Sequence, residues 1–329
     1  MKNTIFKTLI ALFMIASLAL PFFSCSDVNT RTAMKSEHFT VDEGVLKYFY
    51  FDTYNAMCES QKATHGDDIS SFIPTIKANA YETVLTNSKN VLVLCEAARA
   101  AGIELGSEDL AELESKIELI KKTASDKNMS ISQFFGDSGV NEDDLRDGNK
   151  LLLLATKYYN IKYEAFLNDL PSEEELREFY QNKIGEGITI GESFSKNFGG
   201  LIFESESAAL SALEEFKTTD MSRKSFEELI KKHIDGKTAQ EGNFFENIRR
   251  GQLINKINDW LFDESRVPGD CEIFKTEEGN TCLGFFAGDG EATWKLDASA
   301  QYASEQCQKW QETLNFPTEI NKTVFDSLK

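Results

Sequence analysis

The sequence predicts an α+β protein: a mostly helical N-terminal module, a small domain of helices around an antiparallel-rich sheet, and a C-terminal helix. Three observations carry this reading. Only five prolines interrupt 329 residues, so long helices can run through most of the chain. Apolar residues recur at helical spacing as far as about residue 182. From Phe198 to Phe286 the pattern changes. A strand at 198–203 is followed by helices at 206–217 and 225–234, a loop at 233–245, a helix at 254–262, a Val-Pro-Gly-Asp turn and a hairpin. With 41% hydrophobic residues and 25 phenylalanines, the chain can support a substantial core, and its length fits about two domains.

Residues 1–24 read as a signal peptide. Lys2 and Lys7 precede an uncharged apolar stretch from Thr8 to Phe23. Cys25, after Phe23-Ser24, resembles the lipidated cysteine of a bacterial lipobox, although Phe22 and Phe23 depart from the usual residues. Lipidation at Cys25 is expected, with ordinary cleavage and an uncleaved anchor helix as alternatives. All three place the protein outside the cytoplasm, attached by its N-terminus where an anchor is kept.

Residues 25–39 read as a polar tether. The helical module spans 40–182. Its first helix opens on Thr40-Val41-Asp42-Glu43, which has the form of a capping box. Further helices are expected at about 74–102 and 108–126 and at 131–135. A long helix capped by Asn141 follows, then one capped by Ser172 with acidic residues in its first turn. Residues 183–196 hold three glycines and no periodicity and read as a hinge. The sheet domain is placed at 197–290. A helix at 296–314 follows within a C-terminal segment at 291–329, and residues 315–329 are left as a loosely packed tail or a short final helix.

The formal net charge is −19. Removing residues 1–24 takes away two lysines and no acid, leaving −21. Such a surface argues against nucleic-acid partners, which need a basic face. It also gives no electrostatic attraction to anionic lipid, so membrane attachment rests on the N-terminal anchor. Setting Cys25 aside, five irregularly spaced cysteines remain, without a CxxC pair or zinc-ligand spacing. No phosphate loop, GxSxG elbow or HExxH is present. No cofactor or metal is implied.

Gly139–Arg146, with the following long helix, and the Pro171–Tyr180 helix resemble the N-terminal module of SurA-like and PrsA-like foldases. The segment 198–286, with Val267-Pro268-Gly269-Asp270 before its hairpin, resembles the parvulin family of peptidyl-prolyl isomerases. Together the resemblance covers roughly residues 40–315. It implies an extracytoplasmic chaperone or foldase whose partners are unfolded or newly exported polypeptides. In this resemblance Gly200 and Thr281 stand where two histidines are expected, and Asp235 stands at a Cys or Asp position. A proline slot would be built from Leu253, Ile257 and Phe262, with Phe244 and Cys282. The only histidines are His38, His65 and His233, and His233 reads as an exposed helix-end residue. Asp235 also reads as a turn former before Gly236. Phe49, Tyr50, Tyr54, Tyr158 and Tyr159 read either as core or as a client cradle. The resulting expectation is a folding factor with weak or lost isomerase activity. The alternatives are an active isomerase, and a surface lipoprotein acting as a specific binding or assembly module.

Overall fold

The computed structural model describes residues 31–185, 188–276 and 279–328. The signal segment 1–24 and Cys25 lie outside the described residues. The protein is α+β, and the chain forms two compact units. One runs to Asp169 and resumes at Ala303; the other is Leu170–Tyr302.

The first unit begins with strands β1 (Thr32–Lys35) and β2 (Thr40–Asp42), so part of the stretch read as a tether is paired backbone. The capping box expected at Thr40 does not form. Thr40 lies in β2, and the first helix α1 (Glu43–His65) starts after Asp42, which makes no side-chain cap. β-branched Thr40 suits a strand. The Asp42 carboxylate accepts from Thr32 Oγ1 at 3.0 Å, and the Glu43 carboxylate receives the Arg31 guanidinium at 2.8 and 3.0 Å.

Helices α2 (Ile73–Ala100), α3 (Ser107–Asp126), α4 (Ile131–Phe134) and α5 (Glu142–Leu167) follow. The Asn141 side chain accepts from the Asp143 and Asp144 amides at 2.8 and 3.2 Å, which satisfies donors that a helix start leaves open. Gly148 lets α1 and α5 approach closely: a Cβ there would lie 2.7 Å from the Tyr48 ring. The Tyr48 hydroxyl in turn accepts from Asn149 Nδ2 at 2.9 Å inside the core.

A buried carboxylate ties the β1–β2 turn to α2. Glu96, 4% exposed, accepts from the His38 amide at 2.7 Å, and its other oxygen lies 2.9 Å from His38 Nδ1. Burial alone would raise this carboxyl, but hydrogen bonds from Ser36 and His38 outweigh it and hold Glu96 below the ordinary glutamate value. A depressed carboxylate stabilises the fold above its unfolded pKa and loses that contribution as pH falls through its folded value. Glu96→Gln is therefore expected to cost about 1.5–3 kcal/mol at neutral pH, the range for hydrogen bonds to charged groups. The gap should narrow below about pH 4.5, as read from urea melts at pH 7 and pH 3.5.

The C-terminal residues are built into this same core. Strand β7 (Glu319–Ile320) pairs with β1, giving the order β2-β1-β7. A short terminal helix, Lys322–Asp326, buries Val324 and Phe325 at 0% and 1% exposure. Of the two alternatives read for 315–329, the short final helix is the one present among the described residues. Two large apolar side chains at the end of the chain find a site against β1 and α2.

The second unit opens with α6 (Glu173–Ile184), capped by Ser172 as expected. Strand β3 (Phe194–Phe203) starts four residues before the expected strand. Then come α7 (Glu206–Phe216), α8 (Arg223–Asp235), β4 (Glu241–Ile248), α9 (Asn255–Leu261), β5 (Cys271–Lys275) and β6 (Thr281–Ala292). The expected loop at 233–245 is corrected, because residues 241–248 form an edge strand. All pairings are antiparallel in the order β4-β3-β6-β5. Gly269, at φ +105°, makes the turn before β5; its amide donates to the Phe286 carbonyl at 2.9 Å. Helix α10 (Thr293–Thr313) ends the second unit and continues into the first.

Candidate functional site

The two faces of the four-stranded sheet are different surfaces, because strand side chains alternate. On one face Leu201, Phe203, Leu283 and Phe285 pack under α7 and α8 with Phe216 and Phe226. There Phe226 and Phe285 stack with ring centroids 4.8 Å apart, and Phe216 meets both edge-on. On the other face Phe198, Cys282 and Phe286 pack with Ile257 and Leu261 of α9, flanked by Leu253, Trp260, Phe262 and Phe245.

This alternation sorts the residues that the parvulin resemblance singles out. Gly200, Leu253, Ile257, Phe262 and Cys282 share the α9 face. A Cβ built on Gly200 would lie 3.7 Å from Cys282 Sγ. Phe244 belongs instead to the α8 face, where the Arg223 guanidinium lies 4.2 Å from its ring centroid. Thr281, 2% exposed, pairs with Phe203 and alternates with Leu283 and Phe285, so it too lies on the α7–α8 face. Asp235 is the exposed last residue of α8. The set from the sequence reading is therefore split between two sides of one sheet.

The α9 face is filled as well as split. The Phe198 ring, 2% exposed, lies over the two glycines opposite each other on β3 and β6. A Cβ on Gly200 would meet Phe198 Cε1 at 3.1 Å, and one on Gly284 would meet Phe198 Cε2 at 2.9 Å. Phe245 stacks on Phe198 at 6.4 Å and 18°. The space above the position of the first expected histidine is thus occupied by an aromatic ring. Ile257 and Cys282 are buried, and Leu253 and Phe262 form a half-buried rim.

Neither thiol of the β5–β6 hairpin is poised as a nucleophile. Burial pushes the Cys282 thiol up to about 11 and the Cys271 thiol up to about 12, so both are protonated at neutral pH. In the hairpin Cys271 pairs with Phe285, and Cys282 with Phe274, so the two do not face each other. All five described cysteines are free. His233 is a further correction. It is partly buried, its Nδ1 lies 2.8 Å from Thr238 Oγ1, and its ring meets Phe203 edge-on at 5.4 Å.

In the helical unit, Phe49, Tyr50 and Tyr158 are core residues, whereas Tyr54 and Tyr159 are partly exposed. Among the described residues no three His, Cys, Asp or Glu side chains gather as metal ligands, and no helix is long and apolar enough to cross a membrane.

No family model matches the chain, and no curated protein does. Solved structures it is similar to include PrsA- and SurA-like foldases and chaperones. One is the foldase protein PrsA of Lactococcus lactis, at 11% identity and a TM-score of 0.28, covering 91% of this chain and 97% of that one. A second is one of two structurally related SurA-like chaperones of Campylobacter jejuni, at 14% identity and 0.27, covering 88% and 99%. A third is the peptidylprolyl isomerase PrsA of Bacillus anthracis, at 11% and 0.24, covering 74% and 94%.

Proposed function

We propose that this chain is an extracytoplasmic protein-folding factor that binds unfolded polypeptide and has weak or no isomerase activity. The folding-factor class is supported by the sequence resemblance across residues 40–315. The observation that carries the loss of chemistry is the Phe198 ring packed over Gly200 and Gly284. Prolyl isomerisation needs an apolar slot with polar groups that favour the twisted amide, against a barrier of about 18–20 kcal/mol. Here the slot is filled, and the polar candidates Thr281 and Asp235 stand away from it. Export through residues 1–24, with lipid attachment at Cys25, completes this reading and rests on sequence alone.

The test pairs two assays on the chain without residues 1–24: cis–trans exchange of a proline peptide, and aggregation of a denatured client. Suppressed aggregation with an uncatalysed exchange rate is the expected result. A rate enhancement that disappears in Asp235→Ala would restore the isomerase reading. Silence in both assays would overturn the folding-factor class.

A further inference from the structure

The fold takes hold of the chain at Arg31. Its carbonyl accepts from the Glu43 amide at 2.9 Å, and its guanidinium lies on the Glu43 carboxylate. Strand β1 begins at the next residue, where Thr32 pairs with Asp42. A tether of residues 25–39, as the sequence reads it, would reach about 50 Å when fully extended. With the chain held from Arg31 onward, only residues 26–30 separate the fold from Cys25. Six steps of extended chain span at most about 22 Å.

Three elements start at this end of the helical unit. β1 and α1 begin there, and the Asp144 carboxylate in the first turn of α5 lies against the Gly44 backbone. Charge does not draw this end to a membrane. Asp42, Glu43 and Asp143 are acidic, and Arg31 and Lys47 are both engaged by Glu43, so anionic headgroups give no net attraction. Among the described residues, none of the exposed large apolar side chains falls in 31–47 or 141–147. What holds this end near a bilayer is the length of the chain alone.

We propose that the end of the helical unit formed by the starts of β1, α1 and α5 faces a bilayer surface, held within about 22 Å of it by a lipid on Cys25 and the five residues 26–30. The proposal rests on the lipid attachment read from the sequence. The far end of α1 is then free to stand further out, because Ala63 lies about 29 Å beyond Gly44 along the helix. A folding factor on so short a leash meets polypeptide as it leaves the membrane.

The test uses the full chain, matured from its own signal segment and placed in zwitterionic vesicles that carry an energy acceptor on their headgroups. A donor dye is attached at Asp143→Cys, beside the leash, or at Ala63→Cys, both exposed positions. A Cys271→Ser background removes the half-buried thiol, and the other described cysteines are buried. Melting curves confirm that the labelled variants fold. Energy transfer is expected to be stronger from position 143 than from position 63. A spacer of about 20 Gly and Ser residues between Thr30 and Arg31, with an average span of about 25 Å, should lower both and shrink the difference. The chain begun at residue 26 should stay off the same vesicles. Equal transfer from the two positions, transfer unchanged by the spacer, or vesicle binding by the chain begun at residue 26 would overturn the proposal. A matured chain that does not float with the vesicles overturns it as well, by removing the anchor. The aggregation assay on the denatured client then decides the folding-factor reading separately.

Discussion

Phe325→Ala is expected to remove about 3–5 kcal/mol from the helical unit, the cost of truncating a fully buried aromatic ring. Deleting residues 315–329 should cost more and leave that unit largely unfolded. Phe325 meets Tyr81 of α2 edge-on, with ring centroids 6.4 Å apart, and the Tyr81 hydroxyl donates to Asp326 at 3.1 Å. The Asn321 amide donates to the Ala33 carbonyl at 2.8 Å, and β7 covers one edge of β1 through Met34 and Lys35. The deletion therefore removes two core side chains and exposes a strand edge at once. The Lys35–Glu319 ion pair adds little, because both side chains are solvated. Hydrogen exchange separates the outcomes. Protection should fall in α1, α2 and α5 while β3 and β6 keep theirs. If the deletion leaves α2 amides as protected as before, the terminal segment does not hold this core.

The contrast between legible and illegible elements is physical. The caps at Asn141 and Ser172 act within three residues, so sequence spacing alone describes them. Strand β4 was missed because EGNFFENI shows no clean period of two. It is an edge strand whose burial pattern does not alternate, and Asn247 has φ +56°. Strands β1 and β7 are short and are stabilised by each other across most of the chain, which no local pattern records. The separation of Gly200 from Thr281 follows from period-two alternation, but only once Phe203 is known to pair with Thr281. The Phe198 plug depends on a glycine from each of two strands, and motif matching on one strand finds only one of them.

The second large effect concerns that plug. Phe198→Ala is expected to cost about 3–5 kcal/mol of stability in the sheet unit. Gly200→His alone should cost about 1–3 kcal/mol, because the new side chain enters space already held by the Phe198 ring. Combined, the two changes should not add. With the ring gone the imidazole has room, so the cost of Gly200→His should shrink by at least about 1 kcal/mol, beyond the 0.3–0.5 kcal/mol scatter of independent sites. Additive costs would mean that Phe198 does not occupy that space. Exchange assays on the same four proteins then separate loss of room from loss of chemistry. The double variant regains a polar group on the α9 face, but Thr281 still points to the opposite face and Asp235 remains at the exposed end of α8. Exchange should therefore stay uncatalysed even where stability is recovered. Catalysis in the double variant would show that the aromatic plug, and not the dispersal of the polar groups, is what silenced the sheet.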